Sequence, residues 1–245
     1  MAGHSKWAQI KRKKAANDAK RGKLITKHLR AIQAAARAGG SPDPAANVAL
    51  RNAIEAARRD DVPLENIERL LARLRGEGEG ATRYEEVIYE GYAPGGVAVL
   101  VFALTDNRNR TAGEVRHVFT KHGGSLGGSG SVAWQFEKRG LIVLPDTSEA
   151  VQELAIELGA EDLVESDGVL EVYVPPSEVF AVARSFEERG YKPQAAEVTM
   201  VPQTTVRLGP DEAARVMRLV EALEDLDDVQ TVHTNLDPES IAVPG

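Results

Sequence analysis

Apolar positions in the first third of the chain recur at helical spacing. Asp18–Ala38 holds no proline and ends at Gly39 and Gly40, a helix stop. At 100° per residue, Ile25, Leu29, Ile32 and Ala36 fall on one side, with Lys20, Lys23, Lys27 and Arg30 nearly opposite. The spacing predicts one face that packs and one that carries a row of cations. A second helix is expected after Pro44, with Leu50, Ala53, Ile54 and Ala57 inward. A third starts at Pro63 and buries Leu64, Ile67, Leu70, Leu71 and Leu74. Residues 76–80, GEGEG, read as a linker.

Beyond Gly80 the period changes to alternating strands and helices. Strands are expected at 85–92 and 97–105 around the turn Pro94, Gly95, Gly96, then a helix over 111–122. A glycine-rich loop at 123–130 and a strand at 132–136 follow. The next stretch reads β-α-β-β-α-β: strand 141–144, helix 149–158, strands 163–165 and 170–174, helix 177–189, strand 197–201. That order is ferredoxin-like. A short strand at 205–208, a helix at 211–226 and a strand at 229–235 are too little to fold alone, and are expected to rejoin the sheet begun at 85–136. The fold class is therefore α+β in three domains: a basic helical one with its linker at 1–80, a discontinuous α+β one at 81–138 and 203–245, and a ferredoxin-like one inserted at 139–202.

Charge sharpens this division. The 245 residues carry a net −7, yet residues 1–75 hold 17 basic and 7 acidic side chains, whereas 76–245 hold 13 and 30. The first 40 residues hold 11 basic residues against Asp18 alone. Such asymmetry points to a polyanion partner. Lys6, Lys11, Arg12, Lys13 and Lys14, with Lys20, Arg21, Lys23, Lys27 and Arg30 on the helix, can neutralise phosphates and release counterions. Trp7 among them can stack on a base or tuck the segment onto the helices.

At residues 105–111, TDNRNRT, a strand gives way to a helix. There Arg108 and Arg110 can form a secondary anion site, or Asp106, Asn109 and Thr111 can simply cap the helix. No cysteine is present, which excludes disulfides, thiolate metal sites and a cysteine nucleophile. Ser125 sits in a G-x-S-x-G string, but a helix precedes it and a strand follows, the reverse of a nucleophile elbow. His4, His28, His117, His122 and His233 lack metal-ligand spacing, and Asp225, Asp227 and Asp228 read as a solvated turn. Neither an enzyme, a cofactor nor a metal is expected. No apolar run is long enough to span a membrane, and no secretory signal is visible, so a cytoplasmic protein is the expectation; the sequence leaves the oligomeric state open, with a monomer slightly favoured.

Several segments together resemble the YebC/PmpR family: AGHSKW at 2–7, IKRKKA at 10–15, DAKRGK at 18–23, YEGYAPGG at 89–96, TDNRNRT at 105–111, and GG at 123–124 followed by GSVAWQF at 130–136. The resemblance implies a helical N-terminal domain and two α+β domains, one inserted into the other. It implies a probable transcriptional regulator that binds DNA; related translation factors make the ribosome and its RNA the alternative partner. Carried over, it makes Lys6, Lys11, Lys13, Lys14, Lys20, Arg21 and Lys23 the expected phosphate contacts. The cationic helix offers only Gln33 for reading bases, so backbone contact is expected to outweigh sequence readout.

Overall fold

The computed structural model describes residues 18–76, 84–166 and 168–241. Three helices come first: α1 (Asp18–Ala38), α2 (Val48–Arg59) and α3 (Leu64–Gly76). Their shared core is Ile32, Ala36, Leu50, Ile54, Ala57, Ile67, Leu70 and Leu71, the stripes that the periodicity marks out. Leu64 departs from the expectation. It stands 48 % exposed at the first position of α3, whereas Ile67 in the same turn is buried in that core. Asn47 fixes the α1–α2 corner. Its Oδ1 accepts from Leu50 N at 3.0 Å as the N-cap, while its Nδ2 donates to Ala35 O and Ser41 O at 2.9 and 3.0 Å.

Next, β1 (Glu85–Tyr92) and β2 (Ala98–Thr105) pair antiparallel, followed by α4 (Arg108–Lys121) and a two-residue β3 (Ser125–Leu126) beside β1. Residues 132–136, expected as a strand, instead make a 3₁₀ turn at Ala133–Gln135. The strand proper is β4 (Phe136–Leu144), which runs through Gly140 without a break. A Cβ on Gly140 would meet Val179 Cβ at 2.8 Å and Val174 Cγ2 at 2.9 Å, so glycine permits the close packing there.

From β4 the chain runs through α5 (Glu149–Glu157), β5 (Asp162–Ser166), β6 (Val169–Val174), α6 (Val179–Glu188) and β7 (Ala195–Pro202). Their antiparallel order β5-β6-β4-β7 is ferredoxin-like, with Val151, Leu154, Val179, Ala183 and Phe186 packing on Ile142, Leu144 and Val172. The chain then returns through α7 (Pro210–Glu224) to β8 (Val229–Thr234), which adds to β2 and completes the first sheet in the order β3-β1-β2-β8. One unit is thus inserted into the other. The expected strand at 205–208 is only a single bridge, Val206 to Leu236. On one face of the first sheet, Val99 and Val101 meet Val115 and Phe119 of α4 and Val216, Leu219, Val220 and Leu223 of α7.

Candidate nucleic-acid interface

The basic helix is the natural starting point. Lys23, Lys27 and Arg30 are spaced four and three residues apart, so their side chains share one face of α1. The structure sets this face against the C-terminal end of α7 and the acidic turn after it. Lys27 Nζ donates to Glu224 O at 2.6 Å and Lys23 Nζ to Asp225 O at 3.0 Å, with the Asp225 carboxylate 3.7 Å away. Arg30 Nη1 donates to Asp227 O at 2.9 Å, Leu104 O at 3.2 Å and Asp228 Oδ1 at 2.7 Å, and its guanidinium lies over the Tyr84 ring.

A helix ends with unsatisfied carbonyls and the negative pole of its dipole. The last turn of α7 has no basic residue of its own, so α1 supplies the cations. Burial lowers the Lys27 pKa, and the nearby Glu224 carboxylate only partly opposes it.

Asp228 is the centre of this contact. Expected in a solvated turn, it is buried at 4 % exposure, because Arg30, Thr105, Arg110 and Thr111 converge on it from three elements. Its Oδ1 takes Arg30; its Oδ2 accepts from Thr111 Oγ1 at 2.6 Å, Arg110 Nη2 at 2.7 Å and Thr105 Oγ1 at 3.2 Å. Burial alone would raise its pKa, but the hydrogen bonds from Arg110, Thr111 and Arg30 outweigh that and hold the carboxyl below its ordinary range.

The 105–111 segment belongs to the same network. Asn107 caps α4, accepting from Arg110 N at 3.1 Å, and Thr105 Oγ1 accepts from Asn107 N at 2.9 Å. Arg110 forks between Asp106 and Asp228, both at 2.7 Å. The side chain weighed as an anion ligand thus already holds two carboxylates of the chain itself. Arg108 stays outside, 68 % exposed, with Nε 3.6 Å from Glu85.

Of the cations expected to meet phosphate, Lys23, Lys27 and Arg30 are turned toward the protein body. Arg21 is exposed on α1. Lys20 lies on the described helix, without a described side chain, whereas Lys6, Trp7, Lys11, Arg12, Lys13 and Lys14 lie outside the described residues. Gln33, the one amide on α1 suited to base reading, is buried at 8 % in the helical core. Among the described residues no three His, Asp or Glu side chains gather as a metal site, and no helix is long and apolar enough to cross a membrane.

Sequence reasoning passed over Glu90. It is buried on β1 beside Tyr92, and its carboxylate accepts from Gly130 N, Val132 N and Ala133 N at 2.7, 2.8 and 2.7 Å. Burial pushes its pKa up, but the three backbone N–H bonds more than offset this and leave it lowered. The glycine-rich loop is thereby fastened to the sheet. The available signal was a carboxylate two residues before Tyr92 in a strand, directly ahead of a glycine.

A layer of helices, docked through the Asp228 network onto one α+β unit and joined by Arg59 to a second that interrupts it, defines the architectural class. Comparison with known proteins makes it specific. The profile described as the TACO1/YebC protein N-terminal domain matches residues 5–77, and that of the TACO1/YebC second and third domain matches 84–236. The chain belongs to the TACO1/YebC family. It is 72 % identical over 243 residues to a protein of Thermus thermophilus and 57 % identical over 237 to one of Deinococcus radiodurans. These alignments cover 99 % and 97 % of both partners, and both relatives are named probable transcriptional regulatory proteins. A crystal structure of a conserved hypothetical protein from Aquifex aeolicus superposes with a TM-score of 0.78 at 48 % identity, over 93 % of each chain.

Proposed function

We propose that this protein is a cytoplasmic, non-enzymatic regulator of gene expression that binds nucleic acid through its basic N-terminal segment. One observation carries the reading: 11 cations against one carboxylate in the first 40 residues of a chain whose net charge is −7. Cations at that density bind phosphate by counterion release, and the acidic remainder keeps phosphate at one end. The names of the relatives, as probable transcriptional regulatory proteins, support a regulatory role and make DNA the first candidate target.

A second reading, a translation factor on ribosomal RNA, has its own support. With Gln33 buried in the helical core, α1 keeps cations but no amide for a major-groove edge. Contacts of that kind follow backbone shape rather than sequence.

The test is a salt titration of binding to duplex DNA and to structured RNA. Affinity is expected to fall steeply with salt, and charge reversal of Lys11, Lys13 and Lys14 to Glu to flatten the log–log slope by about 2–3 while weakening binding about tenfold or more. A slope near zero on both polymers defeats the nucleic-acid reading. Cross-linking in cells then separates the two targets: ribosomal RNA enriched over promoter DNA selects translation, and the reverse selects transcription.

A further inference from the structure

Helices α2 and α3 border a groove of about 620 Å³. Its exposed apolar surface is Leu64, 48 % exposed, and Ala72, while Ile54, Ile67 and Leu71 beneath them belong to the buried helical core. Arg51 and Arg58 of α2, Arg75 of α3 and Arg184 of α6 line its rim. None of these four guanidiniums has an ion-pair or hydrogen-bond partner among the described residues, unlike Arg30, Arg59 and Arg110. Two carboxylates also line the groove. Glu55 lies 3.5 Å from Arg59 Nε, leaving Glu68 as the opposing charge. The site therefore combines a strip of positive charge, unpaired among the described residues, with the exposed apolar Leu64 and Ala72, and its walls come from the helical layer and from α6 of the inserted unit.

We infer that the groove docks an acidic amphipathic helix of a partner protein. Three properties select this occupant. The lining positions of α3 run from Leu64 to Arg75, three turns or about 16 Å of helix, which matches the footprint of a three-turn helix laid alongside. Leu64 and Ala72, two turns apart on α3, accept apolar side chains of a stripe at i, i+3, i+4 and i+7, whereas the four arginines suit carboxylates on the flanks of that stripe. A single-stranded nucleic acid fits less well. Bases stack on aromatic side chains, and none of the lining residues is aromatic.

The inference is independent of the proposed nucleic-acid function, since none of the groove residues is a contact expected there. The experiment uses the full chain and a fluorescein-labelled peptide of about 14 residues, with Leu at the four stripe positions and Glu elsewhere. Its control is a scrambled peptide of the same composition. The ordered peptide is expected to bind about tenfold or more tightly than the scramble, and R58E/R184E to weaken it by at least as much. Leu64→Glu, at an exposed position that leaves the core intact, is expected to weaken it too. Equal binding of ordered and scrambled peptides, or indifference to both variants, overturns the proposal. So does an equal loss of affinity for a single-stranded RNA probe in R58E/R184E, which would make the groove a phosphate track.

Discussion

At the scale of single residues, two buried carboxylates do most of the organising. Asp228 accepts from Arg30, Thr105, Arg110 and Thr111, and Glu90 from three backbone amides of the glycine-rich loop. Truncating one partner of a buried ion pair leaves the other charge unpaired, which costs about 3–5 kcal/mol. Asp228→Ala is therefore expected to lower the melting temperature by about 6–15 °C, read by thermal circular dichroism. Both carboxyls have folded-state pKa values below their unfolded ones, so the unfolded chain binds more protons over that interval. Their stabilisation is complete above the unfolded values and is lost as pH falls through the folded ones. Melts between pH about 7 and 3 should show a steep decline for the native protein and a shallower one for Asp228→Asn. An unchanged acid slope in that variant would refute the assignment. The role of Asp228 was not legible in the sequence, and that of Glu90 showed only as a carboxylate inside a strand. Asp228 closes a run of acidic residues that looks solvated, and only the meeting of α1, β2 and α4 gives it donors.

At the scale of elements, α1 illustrates what periodicity can and cannot tell. Its apolar stripe predicted the buried Ile32 and Ala36, and the opposite face is cationic as the wheel indicates. What faces those cations depends on α7, nearly 200 residues further along, and no local pattern encodes that. The charges that promise phosphate contact also suit the carbonyl end of a helix. Lys23 and Lys27 thus hold α1 to the first sheet, while Arg59, 3.1 Å from Glu187, joins α2 to the inserted unit. Replacing Lys23 and Lys27 with Ala is expected to speed amide exchange in α1 and the last turn of α7 about fivefold or more, with the inserted unit unchanged. Uniform protection across the protein would mean that these contacts are idle. The ferredoxin-like strand order was legible because each element carries its own period. The 3₁₀ turn at Ala133–Gln135 was not, since the β-like run 132–136 is bent there by the amides that Glu90 gathers.

At the scale of the whole molecule, the inserted unit enters and leaves the first sheet through paired strands: Phe136 lies opposite Pro202, Glu137 opposite Val201, and Gln203 N donates to Gln135 O at 2.8 Å. Replacing residues 138–200 with Asn-Gly should leave a hairpin of ordinary geometry, and with it a protein whose first sheet and helical layer still unfold cooperatively. Loss of the cooperative melt would show that the inserted unit is needed for the rest to fold. The paired stem also has a kinetic consequence. To add β8 to β2, the chain must join Ala103 to Val229, and 67 of the 125 residues between them lie in the excursion from Phe136 to Pro202. If the inserted unit forms first, its stem bridges those 67 residues and roughly halves the loop left to close, which lowers the entropic cost by about 0.6 kcal/mol. The shortened hairpin variant keeps the same short path and should refold its first sheet at a similar rate, as stopped-flow fluorescence would reveal. What interrupts the first sheet in sequence thus acts as a splint during its assembly, drawing together two strands that the gene sets far apart.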